Sequence, residues 1–220
     1  MRDKKYTVII PTMWECPRLL TTLKELSSRG EVGEILLFDN TAGKDIKLPS
    51  KVTHIIEGRN TFVNQPWNKG ACSASNNPLL VLNDDIWFEW DSLFKLVPPD
   101  LIDSESKIGM IGIGLDCYRS PHPEKALFEI RKRTYGYACT FFINQNHWVE
   151  IPQEMKIWGG DDWLLTKNRE QGRVNLAFSG IKALGEVSLT TRKLERETYI
   201  RGIIENDIRL IKKYKIREET

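Results

Sequence analysis

Two adjacent carboxylates follow a short apolar segment. Asn83, Asp84 and Asp85 come directly after residues 78–82, whose Leu and Val side chains predict a buried strand. Open α/β sheets bind ligands at the carboxyl ends of their strands. Neighbouring acids repel each other unless a cation or a ligand hydroxyl compensates, and Mg²⁺ commonly takes one or two carboxylates together with water and substrate phosphates. A turn that only ends the strand is the alternative explanation.

A second pair of acids follows two glycines. Gly159 and Gly160 permit positive φ or close backbone approach, so they can present Asp161 and Asp162 at the start of a predicted helix. The helix dipole favours carboxylates there. One acid could cap the helix while the other acts as a general base toward a hydroxyl. Capping alone explains one Asp, but neither the glycines nor the tryptophans on either side.

Polar residues also end two earlier predicted strands. Pro11 and Thr12 follow residues 6–10, and Asp39 and Asn40 lie at the end of the strand predicted over residues 34–39. Because parallel strands end at one edge of a sheet, these residues and Asn83 would share the rim of a nucleotide cleft. An isolated cation is more often a solvated surface group. The cations that could nevertheless contact phosphate or base there are Arg59 and Lys69.

The elements that position these residues predict an α/β fold with a mostly parallel sheet, because strands and helices alternate. Residues 116–133 have mixed charge and two prolines, which predicts an irregular surface segment. The last helix carries an apolar stripe that predicts packing back onto the same single domain, residues 1–220. Strands are predicted over residues 6–10, 34–39, 52–56, 78–82, 108–115, 138–143, 174–178 and 181–187, and helices over residues 17–29, 66–74, 91–97, 158–171 and 194–214.

Composition narrows the classes of protein. The 32 Lys and Arg nearly balance the 30 Asp and Glu, which argues against a dedicated nucleic-acid binder. No apolar run is long enough for a signal peptide or a membrane span. The widely spaced cysteines lack metal-binding motifs and predict reduced thiols in a cytoplasmic protein. They are Cys16, Cys72, Cys117 and Cys139.

Taken in order, these motifs resemble those of the GT-A glycosyltransferases, most of all the inverting, family 2-like enzymes. The resemblance covers about residues 6–190. The second acid pair is also similar to the Trp-Gly-Gly-Glu-Asp element of galactosyltransferase-type enzymes. The motifs are the strand ending in Pro11 and Thr12, the strand-end Asp39, the helix turn Asn68-Lys69-Gly70, the Asp-x-Asp variant Asn83-Asp84-Asp85, and the element Trp158 to Asp162.

The resemblance implies how a donor would bind. Pro11, Thr12 and Asp39 would hold the base, with Asp39 accepting from a uracil N–H. Asn83 would contact the ribose, and Asp84 would support either the ribose or the metal. Further donor-binding residues implied are Arg59, Asn68 and Lys69.

The resemblance also implies a divalent metal, Mn²⁺ or Mg²⁺, on Asp85. Many relatives complete the metal shell with a late histidine, but every histidine of this chain precedes the second acid pair. Glu186 is the nearest substitute. Without it, the ion would rely on Asp85, diphosphate and water.

For catalysis, the resemblance implies Asp162 as the base and Asp161 as a ligand of acceptor hydroxyls, with the exchange of these roles open. Residues 137–142 would line the donor-sugar pocket. The implied activity is a metal-dependent, inverting transfer of the hexosyltransferase type, from a UDP-sugar to a hydroxyl of a glycan or of a modified DNA base.

Two other classes stay open. A nucleotidyltransferase also uses strand-end acids and a metal, but it usually has a glycine-rich basic loop after the first strand, and residues 11–17 contain no glycine. A non-catalytic nucleotide-sugar-binding module would need the cleft without a base. The basic cluster at residues 209–217 is a candidate nucleic-acid contact, and a solvated helix end explains it as well.

Overall fold

The computed structural model describes residues 4–118, 124–134, 136–185 and 198–216. Fifteen elements carry the argument below. The helices are α1 (Leu19–Ser28), α2 (Asn64–Ser73), α3 (Trp90–Leu96), α4 (Gly160–Glu170) and α5 (Thr198–Lys213), and the strands are β1 (Tyr6–Thr12), β2 (Val32–Asp39), β3 (Val52–Ile56), β4 (Leu79–Leu82), β5 (Ile86–Phe88), β6 (Ile108–Ile113), β7 (Ala126–Ile130), β8 (Thr140–Ile143), β9 (Val174–Ser179) and β10 (Ala183–Gly185).

One eight-stranded sheet has the order β3, β2, β1, β4, β8, β6, β9, β7. The first four strands pair in parallel, as do β6 and β9, whereas β8 and β7 run antiparallel to their neighbours. The register of β1 and β2 pairs Thr12 with Asp39, so their polar ends lie side by side. The predicted α/β fold with a mostly parallel sheet is confirmed. A small second sheet pairs β5 with β10.

Apolar side chains pack against both faces of the large sheet. Successive residues of a strand point to opposite faces, so Ile10 packs on the side of α1 and α3 while Ile9 packs on the side of α2, α4 and α5. Strands covered on both faces are continuous apolar runs, which is why the sequence predicts them. Leu210 and Ile211 bury α5 on the second face, as the sequence predicted. Within the described residues, no helix has the length and apolar character needed to cross a membrane.

The prediction of an irregular segment over residues 116–133 is wrong in its second half. Strand β7 lies there, at the edge of the sheet, and among the described residues it pairs, antiparallel, only with β9. An edge strand needs no continuous apolar run, because solvent covers much of it: Ala126, Phe128 and Glu129 are exposed.

Other boundaries differ by a few residues. The sequence did not predict β5, and α4 begins at Gly160 rather than at residue 158. A 3₁₀ turn, Tyr137–Cys139, replaces the first part of the strand predicted over residues 138–143. Residues 186–187 of a predicted strand, including Glu186, and residues 194–197 of the predicted last helix lie outside the described residues.

Candidate active site

A cleft with a cavity volume of about 130 Å³ opens at the carboxyl ends of β1, β2 and β4. The loop before α2 closes one side, and Ile157 and Ile200 contribute apolar surface. The lining residues are Pro11, Thr12, Met13, Glu15, Asn40, Asn60, Phe62, Val63, Asn83, Asp84, Asp85, Ile157 and Ile200. Five predicted donor or metal residues therefore meet in one cleft.

Thr12 fixes Asp84 within this cleft. The Oγ1 hydroxyl of Thr12 donates to Oδ2 of Asp84 at 2.6 Å, and the backbone N–H of Trp14 donates to the same hydroxyl oxygen at 2.8 Å. Burial raises the pKa of Asp84 to about 6; the bond from Thr12 opposes this rise and the charge of Asp85 adds to it. Asp84 therefore holds a proton near neutral pH more readily than an exposed carboxyl does.

Asp85 borders two cavities. It lines the main cleft and also a second cavity of about 210 Å³, beside Arg18, Trp87 and Gly185. Its side chain is half-buried. Asp85 therefore lies where a ligand in either space could reach it.

The donor atoms at this end of β4 fit a hard divalent ion. Asp84 and Asp85 offer carboxylate oxygens, and Asn83 offers an amide oxygen. Among the described residues, no group of three or more His, Cys, Asp or Glu could hold a metal. The set therefore suits an ion whose shell is completed by water and substrate phosphates.

Asp39 lies behind the cleft. Its carboxylate is fully buried, and its Oδ1 accepts from both the backbone N–H and the hydroxyl of Thr41, at 2.9 and 2.6 Å. Its Oδ2 accepts from Nε1 of Trp14 at 2.7 Å and lies 2.8 Å from Nε2 of His54. Burial would raise the pKa of Asp39, but the bonds from Thr41, Trp14 and His54 outweigh burial and lower it. A uracil N–H would have to replace one of these partners.

Asn40, the next residue, shapes the cleft wall. Its Oδ1 accepts from the backbone N–H and the hydroxyl of Thr61, at 3.1 and 2.7 Å, and its Nδ2 donates to the carbonyl of Phe62 at 2.7 Å. Phe62 has a φ of 65°, an uncommon conformation for a large side chain. Asn40 lines the cleft together with Asn60 and Phe62. The sequence placed Asn40 at this rim, directly after the strand-end Asp39, but gave no signal for Asn60 or Phe62.

Besides Asp39, three predicted donor residues lie away from the cleft lining. Arg59 is exposed. Lys69 forms an ion pair with Glu57 at 2.5 Å. Asn68 accepts from Nε1 of Trp148 at 3.2 Å and from the backbone N–H of Ile151 at 3.0 Å, and donates to the carbonyl of Ile151 at 2.8 Å. Asn68 thus ties α2 to a neighbouring segment.

The second acid pair lies at the start of α4, as predicted. Gly159 has a φ of 80°, a conformation that favours glycine, and a Cβ there would lie 2.7 Å from a side-chain carbon of Ile211, which would have to move. Asp161 and Asp162 are only 4% and 5% exposed. The guanidinium of Arg133 lies 3.1 Å from Oδ1 of Asp162 and 3.6 Å from Oδ2 of Asp161. Arg133, which sequence analysis assigned to a surface segment, offsets both charges.

Cys139 lies within electrostatic reach of both acid pairs. Burial, together with the charges of Asp85 and Asp161, raises the pKa of the Cys139 thiol to about 11. The backbone N–H of Asn83 also donates to the carbonyl of Cys139 at 2.9 Å. Ile157, four residues before Asp161, lines the cleft, so the segment that leads into the second acid pair begins at the cleft wall.

Core packing limits which of residues 137–142 could line a donor-sugar pocket, the role that the sequence predicts for this segment. The side chains of Tyr137, Phe141 and Phe142 are fully buried in the core. Ala138 and Cys139 are half-buried, so only this part of the segment could approach a ligand.

No protein-family model matches the chain, and no curated protein matches it. Solved structures do. GalNAc-T7, solved with UDP, GalNAc and Mn²⁺, superposes with a TM-score of 0.58 at 15% identity, over 85% of this chain and 44% of that chain. S. aureus TarS 1–349, solved in complex with UDP, superposes with a TM-score of 0.58 at 14% identity, over 93% of this chain and 65% of that chain.

The chain has the GT-A fold. It spans less than two thirds of either similar chain, 44% and 65% respectively. At these identities the likeness concerns the fold. The GT-A sheet nevertheless accounts for the position of the cleft, because the ends of β1, β2 and β4 form one polar edge on it.

Proposed function

We propose that this protein is a glycosyltransferase that moves a sugar from a nucleoside diphosphate sugar, a UDP-sugar, to an acceptor hydroxyl. One observation carries the proposal: Thr12, Asn83, Asp84 and Asp85 line a single cleft at the strand ends of a GT-A fold. The similar structures of GalNAc-T7 and TarS were each solved with UDP, which supports UDP as the nucleotide.

In this proposal the donor lies along the cleft with its base toward Pro11, Asn40 and Phe62. Asp39 accepts from the uracil N–H after one of its internal partners, such as Trp14, turns away. Asn83 is near enough to the rim to contact the ribose. The neighbouring cations Arg59 and Lys69 act, at most, on parts of the donor that extend out of the cleft.

Asp85, with Asp84 and the amide oxygen of Asn83, would hold a Mn²⁺ or Mg²⁺ ion. When bound, such an ion neutralises negative charge on a departing diphosphate. The bond from Thr12 keeps Asp84 in a fixed orientation for this role. The proposed ligand set agrees with the small number of protein carboxylates that Mg²⁺ sites use.

Asp162 accepts the proton of the acceptor hydroxyl in this mechanism. The acceptor oxygen forms a bond to the anomeric carbon as the bond from that carbon to the diphosphate oxygen breaks. Because attack comes from the face opposite the leaving group, the anomeric configuration inverts, through an oxocarbenium-like transition state. Asp161 holds acceptor hydroxyls, and the guanidinium of Arg133, which contacts both carboxylates, offsets the repulsion between them.

The proposed acceptor is a hydroxyl of a glycan, with a modified DNA base as the second candidate. The four cysteines are all free thiols, which supports a reducing, cytoplasmic compartment. An acceptor available in that compartment is therefore the first to test.

A panel of nucleotides and nucleotide sugars, screened by thermal shift with Mn²⁺ and with EDTA, tests the proposal. A ligand in excess of its Kd raises the melting temperature by mass action. We expect UDP and UDP-sugars to stabilise the protein only with Mn²⁺. If only nucleoside triphosphates stabilise the protein, a nucleotidyltransferase is favoured. If UDP-sugars stabilise it but a separate assay finds no release of UDP from them, a non-catalytic binding module is favoured.

A further inference from the structure

A buried carboxylate on α5, that of Asp207, lies next to the segment that leads into α4 and its acid pair. Asp207 has no exposed surface, although a buried charge is costly unless it is compensated. Among the described residues it forms no ion pair within salt-bridge distance. The mechanism proposed above does not use it.

Three successive backbone N–H groups compensate this charge. Lys156 donates to Oδ1 of Asp207 at 3.0 Å, and Ile157 and Trp158 donate to Oδ2 at 2.8 and 2.9 Å. Hydrogen bonds from backbone N–H groups to a carboxylate are charge-assisted and stronger than neutral ones. Asp207 therefore fixes the backbone of residues 156–158.

The same segment is held from its other side by α2. The carbonyl of Lys156 accepts from the backbone N–H groups of Val63 and Asn64, each at 3.1 Å. Nδ2 of Asn64 also donates to the carbonyl of Trp158 at 3.4 Å. Residues 156–158 thus lie between α2 and α5, with Ile157 forming part of the cleft.

The fixed segment leads directly into the acid pair. Gly159 follows Trp158 and lies against Ile211 of α5, so a Cβ there would come within 2.7 Å of a side-chain carbon of Ile211 and displace it. Asp161 and Asp162 come next, in the first turn of α4. Further along α4, Thr166 donates to the carbonyl of Ile216 at 2.8 Å, and Trp163 packs edge-on against Tyr214 at 5.6 Å. The chain from α5 onward therefore follows α4 along most of its length.

We propose that Asp207 is a positioning residue that sets where Asp161 and Asp162 stand relative to the cleft. It acts through the backbone of residues 156–158 and touches no reacting atom. This inference rests on the proposed function for its catalytic consequence. Its structural part, the placement of Asp161 and Asp162 by Asp207, does not depend on the proposed function.

The variant Asp207→Asn tests the inference with little change in shape. An amide supplies only one oxygen, so at least one of the three N–H groups must face an NH₂ group. Leu210→Ala is the matched control: Leu210 is buried on the same helix, and its truncation removes packing but none of the three hydrogen bonds.

Nuclear magnetic resonance tests the placement of Asp161 and Asp162 without any substrate. In the wild type we expect the amides of Lys156, Ile157 and Trp158 to exchange with solvent as slowly as the core of α5. In Asp207→Asn we expect faster exchange there and shifted side-chain carboxyl resonances of Asp161 and Asp162, which Leu210→Ala leaves in place. Rapid exchange of these amides in the wild type would overturn the inference, even if the variant did not fold.

The kinetics of sugar transfer measure the effect of Asp207 on catalysis. We expect Asp207→Asn to lower kcat about 10- to 100-fold, as a small misplacement of a catalytic group does, with UDP affinity unchanged. Leu210→Ala, at an equal or greater loss in Tm, keeps the wild-type kcat. Equal losses of kcat in both variants would mean that Asp207 only stabilises the fold. Absence of any transfer by the wild type would refute the proposed function, while the resonance measurements would still decide the placement.

Discussion

Thr12 and Asp84 join the ends of two neighbouring strands, β1 and β4, through a hydrogen bond of 2.6 Å between Oγ1 and Oδ2. The two residues are 72 positions apart in the chain. Their contact brings the Pro-Thr end of the first strand against the Asn-Asp-Asp end of the fourth. A cleft with both polar ends in its wall is the result.

The variant Thr12→Val should weaken metal-dependent UDP binding. Valine keeps the shape of threonine but cannot donate to Asp84, and a hydrogen bond to a charged group contributes about 1.5–3 kcal/mol. If UDP binding needs the Asp84 carboxylate in the orientation that Thr12 holds, the Kd for UDP with Mn²⁺ should rise roughly tenfold or more. Isothermal titration calorimetry measures it.

Thr7→Val is the matched control for this prediction. Thr7 lies near the opposite end of β1 and donates to Oε1 of Glu34, also at 2.6 Å. Its loss should lower Tm without changing UDP affinity. Equal effects of the two variants on the Kd would show that the Thr12 bond serves stability only.

Removal of the Asp85 carboxylate should abolish the metal dependence of nucleotide binding. In the wild type, UDP should bind more tightly with Mn²⁺ than with EDTA, and in Asp85→Ala the two affinities should be equal. Asp91→Ala, which removes an exposed acid from α3, should behave as the wild type. A persisting difference between Mn²⁺ and EDTA in Asp85→Ala would exclude Asp85 as a metal ligand.

Asp39 should stabilise the fold in a pH-dependent way. Its folded pKa is lower than normal, so its contribution is present above the unfolded pKa of about 4 and is lost as the pH falls through the folded pKa. Asp39→Asn should therefore cost about 1–3 kcal/mol at pH 7, and this difference should shrink below pH 4. Urea unfolding measures it, with the exposed Asp45→Asn as control. A difference that is constant with pH would contradict the role of its charge.

The same variant tests the base-binding role of Asp39. An amide cannot replace a carboxylate that accepts from uracil and from its internal partners together. UDP affinity should fall roughly tenfold, as for a lost bond to a charged group, with inorganic pyrophosphate affinity unchanged. Equal losses for both ligands would mean that Asp39 acts only through the turn at Thr41.

The second acid pair should separate into two kinetic roles. Asp162→Asn should lower the rate of transfer about 10²- to 10⁴-fold, since the amide cannot take a proton, while donor affinity is retained. Asp161→Asn should mainly raise the KM for the acceptor. The opposite pattern would exchange the two roles, and wild-type turnover in the double variant would exclude base catalysis from α4.

The sequence predicts the strand ends of this cleft well because their causes are local. An apolar run followed by polar residues marks β1, β2 and β4, and parallel pairing brings their ends together without further information. Asn68 and Lys69 show where this fails. Their polar partners, at Ile151 and Glu57, are chosen by tertiary packing, which spacing along the chain does not reveal.

The sequence contains a signal for Asp207 that the sequence analysis did not use. It occupies the same face of α5 as Ile200, Ile204 and Ile211, all buried. An acid on the apolar face of a helix requires buried donors, and the backbone N–H groups that supply them lie 49 to 51 residues earlier. The need for a partner could be predicted from the sequence, but the identity of the partner could not.

Sugar transfer followed by ³¹P nuclear magnetic resonance tests the central claim most directly. The protein is incubated with a UDP-sugar and a set of glycan acceptors, with Mn²⁺ or EDTA, alongside Asp85→Ala and Asp162→Asn. The account predicts that the wild type converts UDP-sugar to UDP with Mn²⁺ only, that Asp85→Ala does not, and that Asp162→Asn does so far more slowly. Failure of the wild type to release the nucleoside diphosphate from every nucleotide sugar tried would contradict it.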